Sequence, residues 1–323
     1  MIKLGALGDF IQACGPFKAI RDYHAGAKIT LLTTVPFVPL AEATGYFDIV
    51  WVDPRPSLFQ ISGWVRLRRL LRSQEFTRVY DLQTSDRTAF YFRLFERSRL
   101  PEWSGIVRGC SHPHRNPKRD TMHTLDRQSE QLGQAGIDHV PSPELGWLRS
   151  PVEKFRLPKK YALLVPGGSA ERQNKRWPVK RYREVAGKLV SSGINVFLVG
   201  DATERELHAQ IAEDLDGVVS LGGKTSLAEL AELSRSAEVS VGNDTGPMHI
   251  GFAMKTPIVA LFGTIPHIGS GPYEIPEHLC RIIKVDPEER ESVEEPGEFH
   301  FRSITVKKVW DQVEKVLAKN ISQ

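Results

Sequence analysis

Cysteine is scarce in this chain of 323 residues: Cys14, Cys110 and Cys280 are odd in number, far apart and form no C-x-x-C pair. That usage excludes a disulfide framework, argues against a structural zinc and fits a reducing compartment. Long apolar runs are missing too. The longest, such as Ile258 to Phe262 and Asn195 to Gly200, are strand-sized, far below the roughly 20 residues that cross a bilayer. No apolar leader precedes the glycine turn at Gly5, so no secretory signal is read and a cytoplasmic location is expected. Also absent is the phosphate loop G-x-x-x-x-G-K-[ST]. Leu221-Gly222-Gly223-Lys224-Thr225 imitates it, but Val218 stands where its first glycine belongs, and Lys224 reads as a surface turn residue. Nor is there a strong excess of one charge, since 43 Lys+Arg face 39 Asp+Glu; with 41% hydrophobic and 25% charged residues the chain is an ordinary globular one.

The chain is too long for one ordinary core, and two α/β domains, residues 1–150 and 151–323, are expected. Strand-like segments alternate with helical ones throughout. In the first half, strands are read at Met1–Leu4, Lys28–Thr33, Ile49–Val52 and Arg78–Leu82, and helices at Phe10–His24, Pro36–Ala43, Trp64–Ser73, Arg87–Phe95 and Leu125–Ala135. A Pro-rich linker, Val140–Val152, follows. The second half reads as strands Tyr161–Val165, Asn195–Val199, Val218–Leu221, Ala237–Val241 and Ile258–Leu261. Its helices are Val179–Ser191, Glu204–Asp214, Leu227–Ser234, Pro247–Met254 and Thr305–Ala318. Such alternation means parallel sheets covered by helices, with ligands at the carboxyl ends of the strands.

Three turns occupy that position. Gly5-Ala6-Leu7-Gly8-Asp9 follows the first strand, and Gly167-Gly168-Ser169 with Asn174-Lys175-Arg176-Trp177-Pro178 follows the first strand of the second half. Gly242-Asn243-Asp244-Thr245-Gly246-Pro247-Met248-His249 breaks a strand and opens a helix. The free N–H groups and positive dipole end of a helix's first turn suit a phosphate. Pro247 fits an opening helical position and Thr245 or Gly246 the cap. Asp9 is either a helix-capping acid or a general base facing the crevice. Lys175 fits a diphosphate clamp as a point charge. Asp244 beside a phosphate site hints at a sugar, because phosphate alone would repel it; His249 reaches the same phosphates or packs in the core. Glu204, near Gly200-Asp201, meets a ribose or caps a helix.

Charge is uneven along the chain. Residues 55–127 hold 15 basic against 7 acidic residues and three histidines, with Arg66, Arg68, Arg69 and Arg72 on one helix. His112, His114, Arg115, Lys118, Arg119 and His123 crowd one loop. The bland reading is a solvated basic face; the clustered one is a polyanionic partner such as a phosphorylated glycolipid, an anionic membrane surface or nucleic acid.

With these motifs the chain resembles glycosyltransferase family 9, the ADP-heptose:lipopolysaccharide heptosyltransferases, over nearly its whole length. The carriers are Lys3-Leu4-Gly5-Ala6-Leu7-Gly8-Asp9, Pro166-Gly167-Gly168-Ser169 with Lys175-Arg176-Trp177-Pro178, and the 242–249 string followed by Val259-Ala260-Leu261-Phe262-Gly263. The resemblance implies a GT-B fold, two Rossmann-like domains facing across a cleft, with the last helix packing back on the first. It makes Asp9 the catalytic base, Lys175 a donor-phosphate ligand, Thr245 and Gly246 diphosphate ligands, Asp244 a donor-sugar ligand and His249 part of the donor site. By position, Thr225, Ser226 and Leu227 line an adenosine pocket, Ser169 lies near the phosphates and Glu204 near the nucleoside. Gly8, Arg66, Arg69, Arg87, Arg119 and His123 become acceptor-binding candidates. Family members carry several apolar residues before the Lys-Leu pair, so a start upstream of Met1 is expected.

The implied reaction is an inverting transfer of heptose from ADP-heptose to a lipopolysaccharide inner-core or other surface-glycan acceptor, with ADP leaving. No cofactor and no required metal are expected, a loosely held Mg²⁺ being left open. The implied partners are the nucleotide-sugar donor, a phosphorylated glycolipid acceptor and the inner face of the cytoplasmic membrane, with no nucleic acid and a monomeric enzyme. A two-lobed nucleotide-sugar epimerase and a non-catalytic binder of anionic glycan are the alternatives.

Overall fold

The computed structural model describes residues 1–168, 176–263, 269, 271–286, 301 and 303–320. The chain divides into two compact units, Met1–Pro143 and Glu144–Gln323, so the boundary falls inside the Pro-rich stretch.

The first unit runs α1 (Leu7–Gln12), α2 (Cys14–Tyr23), β1 (Thr30–Thr33), α3 (Val38–Thr44), β2 (Ile49–Val52), α4 (Ile61–Leu71), β3 (Arg78–Tyr80), α5 (Asp86–Phe92), β4 (Glu102–Gly105), β5 (His112–Pro113) and α6 (Thr124–Gly133). β1 pairs with β2, and β3–β4–β5 form a second ladder, all parallel. Ile2 bridges the two in parallel, to Leu32 on one side and Asp81 on the other. Residues Met1–Leu4 therefore hold the sheet's centre without forming a full strand. Their backbone bonds include Ile2 N to Tyr80 O (2.9 Å), Lys3 N to Leu32 O (3.0 Å) and Leu82 N to Ile2 O (3.1 Å). The core gathers Ile2, Leu4 and Leu32 with Leu67, Leu71 and Trp103.

The single helix expected over Phe10–His24 is two helices. Pro16 has no N–H to give the Gln12 carbonyl, so the ladder breaks near Ala13. Gly15 then lies so close to the linker that a Cβ would stand 1.9 Å from Pro141 O. The segment read as an irregular basic loop contains β5, and β4 precedes it.

The second unit is more regular: β6 (Tyr161–Val165), α7 (Val179–Ser191), β7 (Asn195–Leu198), α8 (Arg205–Ala212), β8 (Val218–Ser220), α9 (Leu227–Arg235), β9 (Val239–Asn243), α10 (Gly246–Ala253), β10 (Ile258–Phe262), β11 (Cys280–Lys284) and α11 (Val306–Asn320). The sheet order is β11-β10-β9-β6-β7-β8, parallel throughout, with Leu164 beside both Leu198 and Val241. β6, β9 and β10 are buried along their whole length, which explains the unbroken apolar sequences of β6 and β10. In the closing helix Val309, Val313 and Val316, spaced three and four apart, belong to the second unit's own core with Val185 and Leu189 of α7.

Candidate functional site

In the second unit the chain winds outward from β6 through β7 to β8, then returns to β6's other side for β9, β10 and β11. The order reverses between β6 and β9. A crevice opens at such a point, outside the carboxyl ends of the strands. The two motifs richest in glycine meet there, because Val165 at the end of β6 is paired with Gly242 in β9.

Asn243 ties them together. Fully buried, its amide donates to Pro166 O (2.9 Å) and Gly167 O (3.2 Å), while its Oδ1 accepts from Trp177 N (3.0 Å) and Tyr182 O–H (3.0 Å). One side chain thus fixes the glycine turn after β6, the lead-in to α7 and its own turn after β9. Thr245 caps α10 with extended backbone, its side chain makes no cap hydrogen bond among the described residues, and Pro247 lies in the first turn. The dipole end of the helix thus faces this edge, a setting that suits an anion.

Glycines line the same edge for steric reasons. A Cβ on Gly167 would stand 1.8 Å from Glu204 Oε1, and one on Gly200 would stand 1.9 Å from Oε2. Glu204 is wedged between both turns, accepting from Gly168 N (2.7 Å) and Asp201 N (3.1 Å). Burial raises its pKa, against the opposing effect of the Gly168 hydrogen bond. In this arrangement Glu204 joins the ends of β6 and β7. Beside it His208 is fully buried and neutral, its pKa lowered to about 4 by desolvation. Its Nδ1 lies 3.0 Å from Ser220 Oγ, and its Nε2 has no hydrogen-bond partner among the described residues.

The remaining donor-side candidates sit on the same edge. Asp244 Oδ1 lies 3.6 Å from His249 Nε2, both side chains nearly buried. Ser226 caps α9, accepting from Glu229 N (3.2 Å), with Thr225 and Leu227 half-buried on either side. Lys224 is exposed and donates to Ser220 O (2.8 Å), as a turn residue. Ser169 and Lys175 lie outside the described residues. Arg176, the next residue, reaches back to Gly168 O, and its buried Nε has no hydrogen-bond partner among the described residues.

The first unit gathers charge instead of glycine. Asp9, at the third position of α1 and half-buried, accepts from Ala6 N (3.2 Å), so the capping role is present. Gly5 makes the turn possible: with φ +120°, a Cβ there would stand 2.6 Å from the Phe37 ring. Behind Asp9 the Lys3 ammonium is buried and donates to Leu82 O (3.1 Å). Desolvation lowers its pKa; Asp9 and Asp81 oppose that shift, and Arg127 and Arg119 add to it. Asp81 is buried and pushed up to about 6 by desolvation, although its carboxylate accepts from Gln83 N (3.1 Å) and Thr84 N (2.9 Å). Arg119 donates to Thr84 Oγ1 (2.7 Å) and contacts His114 Nδ1; burial lowers it to about 10.

Of the acceptor-side candidates, Arg119 shares this neighbourhood with Asp9 through Lys3, and Gly8 is beside Asp9 in α1. Arg87 donates to Pro56 O (3.1 Å) and lies over the Trp64 ring. His123 caps α6 through Leu125 N (3.1 Å). Arg66 and Arg69 are exposed on α4. Sequence reasoning assigns no role to Lys3 or Asp81, although each places a charge within a short apolar strand segment at the sheet's centre.

Comparison with known proteins is consistent with these features. Residues 64–296 match the model of glycosyltransferase family 9 (heptosyltransferase). The lipopolysaccharide core heptosyltransferase OpsX of Haemophilus influenzae is 23% identical over 314 residues, 88% of this chain and 83% of that protein. Among solved structures, a glycosyl transferase family 9 protein from Veillonella parvula superposes with a TM-score of 0.81 at 21% identity, covering 98% of this chain and 96% of that one. The E. coli ADP-heptose LPS heptosyltransferase II gives 0.80 at 20% identity, covering 99% and 98%. At these identities the superpositions establish the GT-B fold class, and the family match covers well over half the sequence. The chain belongs to glycosyltransferase family 9.

Proposed function

We propose that this enzyme transfers heptose from ADP-heptose to an inner-core lipopolysaccharide or related surface-glycan acceptor, with inversion at the anomeric carbon. The observation that carries the donor half is the junction of the β6 and β9 turns, where Asn243 fixes the glycine turn after β6 next to the start of α10. A diphosphate fits such a place because fixed N–H dipoles meet its charge without reorganising.

In this reading Thr245 and Gly246 bind the diphosphate, Lys175 adds a point charge, and Asp244 with His249 holds the sugar. Thr225, Ser226 and Leu227 border the nucleoside, and Ser169 assists at the phosphates. Asp9 removes the proton from the acceptor hydroxyl as its oxygen attacks the anomeric carbon, and the C–O bond to ADP breaks. Negative charge grows on the departing diphosphate, so the α10 amides stabilise the transition state more than the ground state. That assigns the leaving group to protein donors, without a required metal. Lys3 holds positive charge behind Asp9, and Arg119 supplies an anion contact for a phosphorylated acceptor. The protein works as a monomer in the cytoplasm, on a lipid-borne acceptor at the membrane's inner face.

The test is turnover of ADP-heptose against a panel of inner-core acceptors, for the wild type and for Asp9→Asn. Loss of a positioned base costs about a hundredfold or more, with ADP affinity unchanged. Near-wild-type turnover by the variant removes Asp9 from the mechanism. Consumption of the donor without acceptor points instead to an epimerase or hydrolase.

A further inference from the structure

The most exposed large apolar side chains among the described residues are neighbours. Phe59 is 93%, Leu58 82% and Ile61 76% exposed, and Val65 one turn further along α4 is exposed as well. Such side chains are normally withdrawn from water, and a cluster of them marks an interaction surface.

The segment carrying them is pinned at its base. Asp53, buried at the end of β2, accepts from Arg55 N (2.7 Å) and Tyr91 O–H (2.5 Å). Arg87 holds Pro56 O, and Trp64 Nε1 donates to Ser57 O (3.0 Å). The Trp64 ring packs edge-on against Phe90, itself exposed. Gly63, Leu67 and Leu71 turn the other side of α4 into the core. The helix therefore has its buried face already satisfied. Ile61 and Val65 occupy the opposite, outer face, with Leu58 and Phe59 at its tip.

Charge identifies the occupant. From Pro54 to Gln74 the sequence contains no acidic residue and five arginines, Arg55, Arg66, Arg68, Arg69 and Arg72. Of these, all but Arg72 are exposed. No helix among the described residues is long and apolar enough to cross a membrane. A few protruding apolar side chains ringed by arginine match a surface that dips into the headgroup–acyl boundary of an anionic bilayer. We infer that the 57–69 finger is a membrane-docking element, in which Leu58, Phe59, Ile61 and Val65 enter the bilayer interface and the surrounding arginines bind acidic lipid headgroups. This deepens the reading of a lipid-borne acceptor and rests on it for its purpose. The finger leaves the carboxyl end of β2, the same sheet edge that carries Asp9, so docking brings the membrane to the acceptor side of the first unit.

The test uses the full chain and sedimentation with vesicles of phosphatidylglycerol and phosphatidylethanolamine, against vesicles of phosphatidylcholine alone. The wild type binds the anionic vesicles preferentially. Phe59→Ser with Ile61→Ser lowers that binding at least tenfold, and Arg55→Glu with Arg68→Glu abolishes the lipid preference. Unchanged melting curves show that both variants fold. Because Cys14, Cys110 and Cys280 are buried, an environment-sensitive label on Phe59→Cys reports the tip alone and shifts to the blue on anionic vesicles. Wild-type sedimentation by the serine variant, or a label that does not shift, overturns the proposal. So does self-association of the wild type that the serine variant abolishes, which assigns the face to a second copy. None of these measurements uses nucleotide or acceptor, so a failed turnover assay and a failed docking surface are separable.

Discussion

The two units place their candidate sites at the same topological location and build them from opposite materials. In the second unit the carboxyl edge of the sheet is made of glycine turns, backbone N–H groups and one shared amide, Asn243. In the first unit the corresponding edge is made of ionisable side chains, with Lys3 among Asp9, Asp81, Arg119 and Arg127. Backbone donors recognise a group of fixed shape and charge, and they tolerate little variation because each depends on a glycine or a cap. Side-chain charges are replaceable one at a time.

The comparison is most directly broken at Asn243. Replacing it with Ala leaves Trp177 N–H and two carbonyls unpaired in a buried place, at a cost of about 3 kcal/mol or more, and loosens both turns. Chemical denaturation should show the loss, and calorimetric titration with ADP should show weakened binding. If Asn243→Ala binds ADP like the wild type, the turns do not need their shared tether.

The units also differ in how they respond to pH. Asp81 is raised to about 6, so the fold favours its protonated form. Its stabilising effect is full in acid and is lost as pH rises from about 4 to 6, amounting to about 2–3 kcal/mol. His208 is lowered to about 4, so the fold favours the neutral ring. Stability is lost there as pH falls from about 6.5 to 4, by a similar about 2–3 kcal/mol. Melting curves of Asp81→Asn and His208→Gln, each subtracted from the wild type across pH 4 to 7, should slope in opposite directions. Parallel slopes refute the contrast.

A smaller effect sharpens the steric half of the comparison. Gly167→Ala must displace the Glu204 carboxylate, and the crowding costs about 1–3 kcal/mol; Gly167→Ala combined with Glu204→Ala should recover part of it. No recovery in the double variant places the strain elsewhere. The smallest effect is expected at Ser226, where Ala removes an N-cap and costs about 1 kcal/mol. A thermal shift measures it, and a fall in ADP affinity beyond that loss assigns Ser226 to the nucleoside.

Legibility in the sequence follows the same division. Tyr161–Val165 and Val179–Ser191 are found with the bounds their apolar pattern indicates, because a strand buried on both faces and a three-turn helix leave long signatures. β4 and β5 escape, since four and two residues with Glu, Ser, His and Pro among them carry no such pattern. β11 escapes as an edge strand whose sequence, Cys-Arg-Ile-Ile-Lys, carries neither an apolar run nor a two-residue alternation. At the candidate sites, local turns such as 242–249 are readable because one contiguous stretch makes the geometry. The Lys3–Asp81 neighbourhood is not, because it joins residues 78 positions apart in sequence through a sheet whose central element is held by bridges at Ile2.

The route of Trp177 has one more implication. Its backbone N–H is fixed by Asn243, while its ring N–H donates 2.8 Å to Ile304 O, just before α11, and Arg181 donates to the same carbonyl at 2.9 Å. The segment that leads into α11 is thereby joined to the entrance of α7 by two side-chain donors that converge on one carbonyl. Truncation ahead of Ile304 would remove that shared acceptor along with the core contacts of Val309, Val313 and Val316, and the lead-in to α7 that Asn243 fixes at Trp177 would loosen with it.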